Sequence, residues 1–132
     1  LLDVPDTRYE LQYELPEHSV YVYADMDRME QVLNNLLVNA AKNVSLNGMI
    51  QLSLVEQGGM LRFSVFNQGD VISQENLSKI WEKFYRGHNA QYNGSGLGLA
   101  IVAQILSMQK LEYGVNNLPD GVEFFFSIPS VQ

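Results

Sequence analysis

The sequence predicts an α/β domain, and three observations carry that expectation. Polar–apolar alternation, the period of half-buried strands, marks residues 7–15 and 50–55, and further strand-like runs follow at 61–66 and 122–128. A long apolar stripe at helical spacing, Val32, Leu33, Leu36, Leu37, Ala40, Ala41 and Val44, lies between the first two of these runs. Two further helical stripes, Leu77–Phe84 and Leu97–Met108, separate the later strands. The 132 residues make one domain, 1–132, large enough to bury roughly two thirds of its unfolded surface.

Composition removes several classes of function. An apolar content of 46% suits a packed core and argues against disorder. A net charge of −7 disfavours nucleic acid as a partner, because phosphate backbones select a basic face. Without cysteine there are no disulfides and no thiolate metal sites. No apolar run is long enough to span a bilayer, so the domain is not expected to insert in a membrane, and no signal peptide is visible. The abrupt start at Leu1-Leu2-Asp3 suggests a fragment of a longer chain.

The elements follow in order. Residues 7–15 form a strand, Pro16-Glu17-His18 turns the chain with His18 in solvent, and Val20-Tyr21-Val22-Tyr23 is a second strand. Asp25 suits the N-cap of the long helix, with Asp27 and Glu30 near its positive end. The other side of that helix carries Gln31, Asn35, Asn39 and Lys42, stacked at intervals of four, four and three. Asparagine costs a helix roughly 0.5–0.7 kcal/mol against alanine, so repeated asparagines invite explanation. Asn34 and Asn43 read as solvated. For Asn35 and Asn39 a role is favoured, because a neutral amide oxygen ligates a Mg²⁺ already carried by phosphates without adding charge repulsion. Lys42 has two even readings, a solvated surface charge or a contact to a terminal phosphate.

Ile50–Val55 and Leu61–Phe66 form a hairpin around Gly58-Gly59. Asn67-Gln68-Gly69 follows at the strand end, where both a plain turn and a ligand contact are common. Ser73 reads as the N-cap of a helix whose stripe is Leu77, Ile80, Trp81 and Phe84, its aromatics favoured as core. Gly94-Ser95-Gly96-Leu97-Gly98-Leu99 then leads into the last helix. Such a run is either a flexible connection or a phosphate cradle, with unshielded N–H groups at a helix N-terminus. Leu111–Val115 and Val122–Ile128 are strands joined by a turn over residues 116–121, and Pro129 ends the second.

In this order the motifs resemble the ATP-binding catalytic domain of sensor histidine kinases, in the ATPase superfamily shared with DNA gyrase, heat-shock chaperones and mismatch-repair proteins. DMDRMEQVLNNLLVNAAK at 25–42 matches the family's asparagine box, and FNQGDVI at 66–72 its first glycine box. IWEKFYR at 80–86 matches its phenylalanine box and the run at 94–102 its second glycine box, while GVEFFFSIP at 121–129 also fits. The resemblance covers nearly all of residues 7–129.

It implies a two-layer α/β sandwich, a mixed sheet packed against about three helices in the Bergerat-type ATP-binding fold. It implies ATP and Mg²⁺ as ligands, and transfer of the γ-phosphoryl group to a histidine in an adjacent dimerising helical domain. Carried over, Asn39 ligates Mg²⁺ with Asn35 beside it, while Lys42 and Arg86 meet phosphates. Asn67, Gly69 and Ile72 of the first glycine box, Phe84 and Tyr85, and Gly94, Gly96, Leu97, Gly98 and Leu99 line the nucleotide. Residues 87–93 are the lid, and His88 within it is solvated. The isolated domain is expected to be a monomer that meets a response regulator only indirectly, on the cytoplasmic side of a membrane-anchored bacterial receptor. ATP and ADP are its small-molecule partners.

Four positions depart from the family pattern. Asn67 stands for the adenine-reading aspartate, Val71 for a glycine, Asn43 for an adenine-stacking aromatic and Val122 for a frequent threonine. They motivate a second reading, a module of the same fold that binds nucleotide weakly and serves as a regulatory surface. A serine kinase of the anti-sigma type is disfavoured by the Phe84-Tyr85-Arg86 segment and the short lid after it.

Overall fold

The structure, a computed structural model, describes residues 9–85 and 97–131. Among them are six strands, two α-helices and two 3₁₀ turns: β1 (Glu10–Glu14), β2 (Tyr21–Val22), α1 (Met26–Asn43), β3 (Met49–Gln57), β4 (Met60–Gln68), α2 (Gly98–Met108), β5 (Glu112–Leu118) and β6 (Gly121–Val131), with the 3₁₀ turns at Gln74–Asn76 and Lys79–Trp81. The sheet runs β1-β3-β4-β6, and β5 and β2 share the far edge of β6. β1 lies parallel to β3 while every other pair is antiparallel, so the sheet is mixed as expected.

Alternation along each strand decides which face the helices cover. Ile50 on β3, Leu61, Phe63 and Val65 on β4, and Val122, Phe124, Phe126 and Ile128 on β6 are all buried. They meet Val32, Leu36, Leu37 and Ala40 of α1, and Val102, Ile105 and Leu106 of α2. Asp25 caps α1 through its Oδ1, which accepts from the Arg28 N–H at 3.1 Å. The β3–β4 hairpin turns on Gly58 and Gly59, both at positive φ (61° and 78°), the conformation a two-residue loop demands.

Three expectations change. The segment from Ser73 is not one helix but the two 3₁₀ turns, and Ser73 makes no side-chain cap bond. Spacing of 77, 80, 81 and 84 cannot tell 3.0 from 3.6 residues per turn. Ser73, Asn76 and Ser78 are also weak helix formers in a segment too short to be helical unaided. Trp81 still joins the core, its ring edge-on to Tyr113 (5.0 Å) and Phe124 (5.6 Å). Secondly, β5 runs on through Asn116 and Asn117, leaving only Pro119-Asp120 as the turn.

Thirdly, β6 continues past Pro129 to Val131. The Ser130 N–H bonds to the Gly59 carbonyl on the β4 side at 2.8 Å, so Pro129, one residue back, turns its missing N–H to the opposite edge. On that edge β5 stops at Ser127 and β2 begins at Ser130, so no ladder bond is lost.

The open face of the sheet is largely polar, with Phe66 and Phe125 as its described phenylalanines. Phe125 lies across Gly114, and the Arg62 guanidinium stacks on its ring at 4.3 Å while pairing with Glu123 at 3.3 Å. A Cβ at Gly114 would fall 2.9 Å from Phe125 Cε1. Gly114→Ala should displace that ring and cost about 1 kcal/mol, read as a lower urea midpoint at unchanged slope.

Candidate functional site

At one point α1 and α2 approach through an amide and a glycine. Asn35, half-buried on α1, lies against the first residue of α2: a Cβ added to Gly98 would sit 3.3 Å from Asn35 Oδ1. The N-cap of α2 is Leu97, which has no side chain able to cap, and the first turn carries no acidic residue. The start of α2 is thus suited to an anion.

One turn along α1, Asn39 is half-buried, and its buried Nδ2 has no hydrogen-bond partner among the described residues. Leaving such a donor buried costs about 1–3 kcal/mol. Asn43, expected in solvent, is instead half-buried, and its Nδ2 donates to the Asn39 main-chain carbonyl at 2.8 Å and to Asn39 Oδ1 at 3.3 Å. The reason is helical spacing: Asn43 is four residues on, directly above Asn39. Asn34, by contrast, is exposed as expected.

Unused capacity on the Asn39 amide fits a metal–phosphate group, whose parts accept from a nitrogen or draw on an oxygen. Among the described residues no three His, Cys, Asp or Glu side chains converge into a charged metal cage. A cation here would need most of its neutralisation from the ligand it arrives with, as Mg²⁺ on a nucleotide has.

The end of β4 closes the site from the sheet side. Asn67 is 2% exposed, and its Nδ2 donates to the Gln68 carbonyl at 3.4 Å. The Ser45 N–H after α1 donates to the Gln68 carbonyl at 2.8 Å, and the Gly69 N–H to the Asp120 carbonyl at 3.0 Å. Gly69 has φ 152°, and a Cβ there would fall 2.8 Å from the Asn43 carbonyl oxygen. Lys42, exposed, borders a cavity of about 220 Å³ with Ser45, Gly69 and Asp70. Ile72 is buried, and both of its main-chain polar groups are held by the Asn117 side chain.

Phe84 departs from the core role favoured for it: it is 69% exposed with φ 65°. A bulky side chain in the left-handed region is uncommon and marks a strained backbone. Tyr85 is half-buried, and that burial pushes its phenol above the usual value. Leu97 and Leu99 are half-buried beside Gly98 at the start of α2. Arg86, Gly94, Gly96 and the expected lid at 87–93 lie outside the described residues.

The amide-bearing α1 thus meets a glycine-led α2 at Asn35 and the polar end of β4 at Asn43 and Ser45. A family model described as "Histidine kinase-, DNA gyrase B-, and HSP90-like ATPase" matches residues 24–132. The chain belongs to that ATPase family.

Within this histidine kinase-like ATPase family, the chain is 36% identical over 99 residues to the signal transduction histidine-protein kinase BaeS of Escherichia coli, covering 73% of this chain and 21% of BaeS. The catalytic domain of histidine kinase ThkA superposes with a TM-score of 0.82 at 32% identity, over 92% of this chain and 79% of that domain. ThkA has also been solved with the response regulator TrrA (TM-score 0.78, 29% identity, 93% of this chain and 34% of that one). Full-length ShkA in complex with AMPPNP matches at TM-score 0.78 and 30% identity, over 94% and 26% of the two chains. The chain thus shares the fold of the ThkA catalytic domain and spans about a fifth of the length of BaeS.

Two contributors to this site, Ser45 and Asn117, carry no signal in the sequence, and a third, Asn43, is one expected in solvent. Asn43 had a signal, its i+4 spacing from Asn39. Ser45 acts through its main chain and Asn117 from 45 residues beyond Ile72, so neither left a local trace.

Proposed function

We propose that this domain binds Mg-ATP between the amide side of α1 and the start of α2, and hands the γ-phosphoryl group to a histidine on the dimerising helices of its own kinase. The observation that carries the reading is the buried Nδ2 of Asn39, which has no partner among the described residues and lies one helical turn from the Asn35–Gly98 approach. In the transfer, the bond from γ-phosphorus to the β–γ bridging oxygen breaks, a bond to an imidazole nitrogen forms, and ADP leaves. Bound Mg²⁺ supplies neutralisation of the phosphate charge.

The chain's own residues position and hold, as suits a reaction whose catalysis is mostly placement and electrostatics. Asn39 and Asn35 would hold the cation–phosphate group, and main-chain N–H groups at Gly96, Leu97, Gly98 and Leu99, with Gly94 before them, would hold phosphate oxygens. Lys42 and Arg86 would meet the terminal phosphates. Asn67 would accept from the adenine amino group, with Gly69 and Ile72 shaping that turn and Phe84 and Tyr85 bordering the nucleotide. This reading places the domain on the cytoplasmic side of a membrane-anchored receptor, monomeric alone and serving a response regulator through the phosphohistidine. Among the described residues no helix is long and apolar enough to cross a membrane.

The neutral Asn67, and an Asn43 engaged with Asn39 where the family carries an adenine-stacking aromatic, favour a second reading as a weakly binding regulatory module. One experiment separates the two. The domain is mixed with the dimerising helices of its kinase and Mg-ATP, and acid-labile phosphohistidine is measured beside direct ATP titration. Phosphohistidine is expected. Nucleotide binding without it would defeat phosphotransfer, and no binding at millimolar ATP would leave the regulatory reading.

A further inference from the structure

Asn117 sits on β5, on the helix-covered face of the sheet, and reaches across to a segment 45 residues earlier. Its Oδ1 accepts from the Ile72 N–H at 3.0 Å and its Nδ2 donates to the Ile72 carbonyl at 2.6 Å. One side-chain amide thereby satisfies both main-chain groups of Ile72, as a paired strand would. Ile72 lies between the end of β4 and the first 3₁₀ turn, outside any ladder. Its side chain is buried.

The segment held this way contains the turn assigned to adenine. Upstream it is anchored by the Ser45–Gln68 and Gly69–Asp120 main-chain bonds. Asn67 to Ile72 is therefore pinned at both ends, with Val71 exposed and Asp70 exposed between the pins. The downstream pin is a single side chain, whereas the upstream ones are main chain. We propose that Asn117 is a positioning residue that sets the base-reading turn Asn67–Ile72, and so governs preference for adenine rather than hold on the phosphates. This rests on the nucleotide-binding reading above. The geometry separates the two functions, because the Asn39 amide is bonded by Asn43 and Asn35 lies against Gly98, neither contact involving Asn117.

The test titrates Mg-ATP and Mg-GTP separately into the 132-residue chain and into Asn117→Ala, with thermal melting of each. ATP and GTP share the triphosphate and differ in the base. The unaltered chain should prefer ATP by tenfold or more, and Asn117→Ala should bring that ratio to within about twofold of one while GTP affinity holds within threefold. Asn117→Asp serves if the alanine variant fails to fold: it keeps the acceptor for the Ile72 N–H, loses the donor to the carbonyl, and should also collapse the ratio. A preserved ratio in a folded variant, or ATP and GTP affinities falling together, overturns the proposal and leaves Asn117 merely structural. An unaltered chain that binds both nucleotides equally overturns it too. Absence of any ATP binding by the unaltered chain overturns the nucleotide-binding reading itself.

Discussion

Asn39→Ala is expected to lower Mg-ATP affinity by about 100-fold, the upper end of what disturbing a metal's protein contacts does, and affinity for ATP in excess EDTA by a smaller factor, because only the phosphate's share of the contact is then lost. Its Nδ2 is buried, with no hydrogen-bond partner among the described residues. Alanine removes that unsatisfied group, so stability should stay level or rise slightly even as binding falls. That combination distinguishes a binding residue from a packing one. Asn34→Ala, one helical step from Asn35 but exposed, should change neither. Isothermal titration with and without Mg²⁺, beside urea unfolding, reads both quantities. Loss of stability with unchanged Mg-ATP affinity would return Asn39 to a structural role.

Gly121→Ala should cost the most stability of any substitution considered. Gly121 pairs with Gln68 in the β4–β6 register, and a Cβ there would lie 2.0 Å from the Asn67 carbonyl oxygen and 2.9 Å from Gln68 Cα. Both obstacles are main chain and cannot swing aside, unlike the Phe125 ring over Gly114. The strands must part at the end that carries Asn67. A cost of about 3 kcal/mol or more follows, a fall in Tm of roughly 10 °C for a domain of this size. Because the displaced strand end is the base-reading one, ATP affinity should fall further in Gly121→Ala than in Gly114→Ala at a temperature where both are folded. Equal affinities would separate the close approach of β6 from the site.

What the sequence made legible, and what it hid, divides by range. The long stripe from Val32 to Val44 announced α1 because seven apolar positions at one period leave no other solution, and Asp25 marked its start. The hairpin at Gly58-Gly59 was equally plain, since two adjacent glycines between alternating runs have few uses. The Ser73–Phe84 segment misled because its apolar spacing fits two kinds of helix, and the deciding factor was tertiary docking of Trp81 between Tyr113 and Phe124. Pro129 misled for a similar reason. Whether a missing N–H matters depends on which edge it faces, and that is a property of neighbouring strands. At the site, the amides within one helix were visible as spacing, whereas the Asn117–Ile72 clamp depends on chain segments brought together only by the completed sheet.

β6 has a bearing on how the molecule is born. It is the one strand that β4, β5 and β2 all touch, and it is the last of the sheet to leave the ribosome. Until it emerges, β4 has an open edge and β2 no partner at all, so the nascent sheet is a sticky half-product during vectorial synthesis. A chain stalled before residue 121 should therefore be protease-sensitive and chaperone-bound throughout, with protection arriving in a single late step.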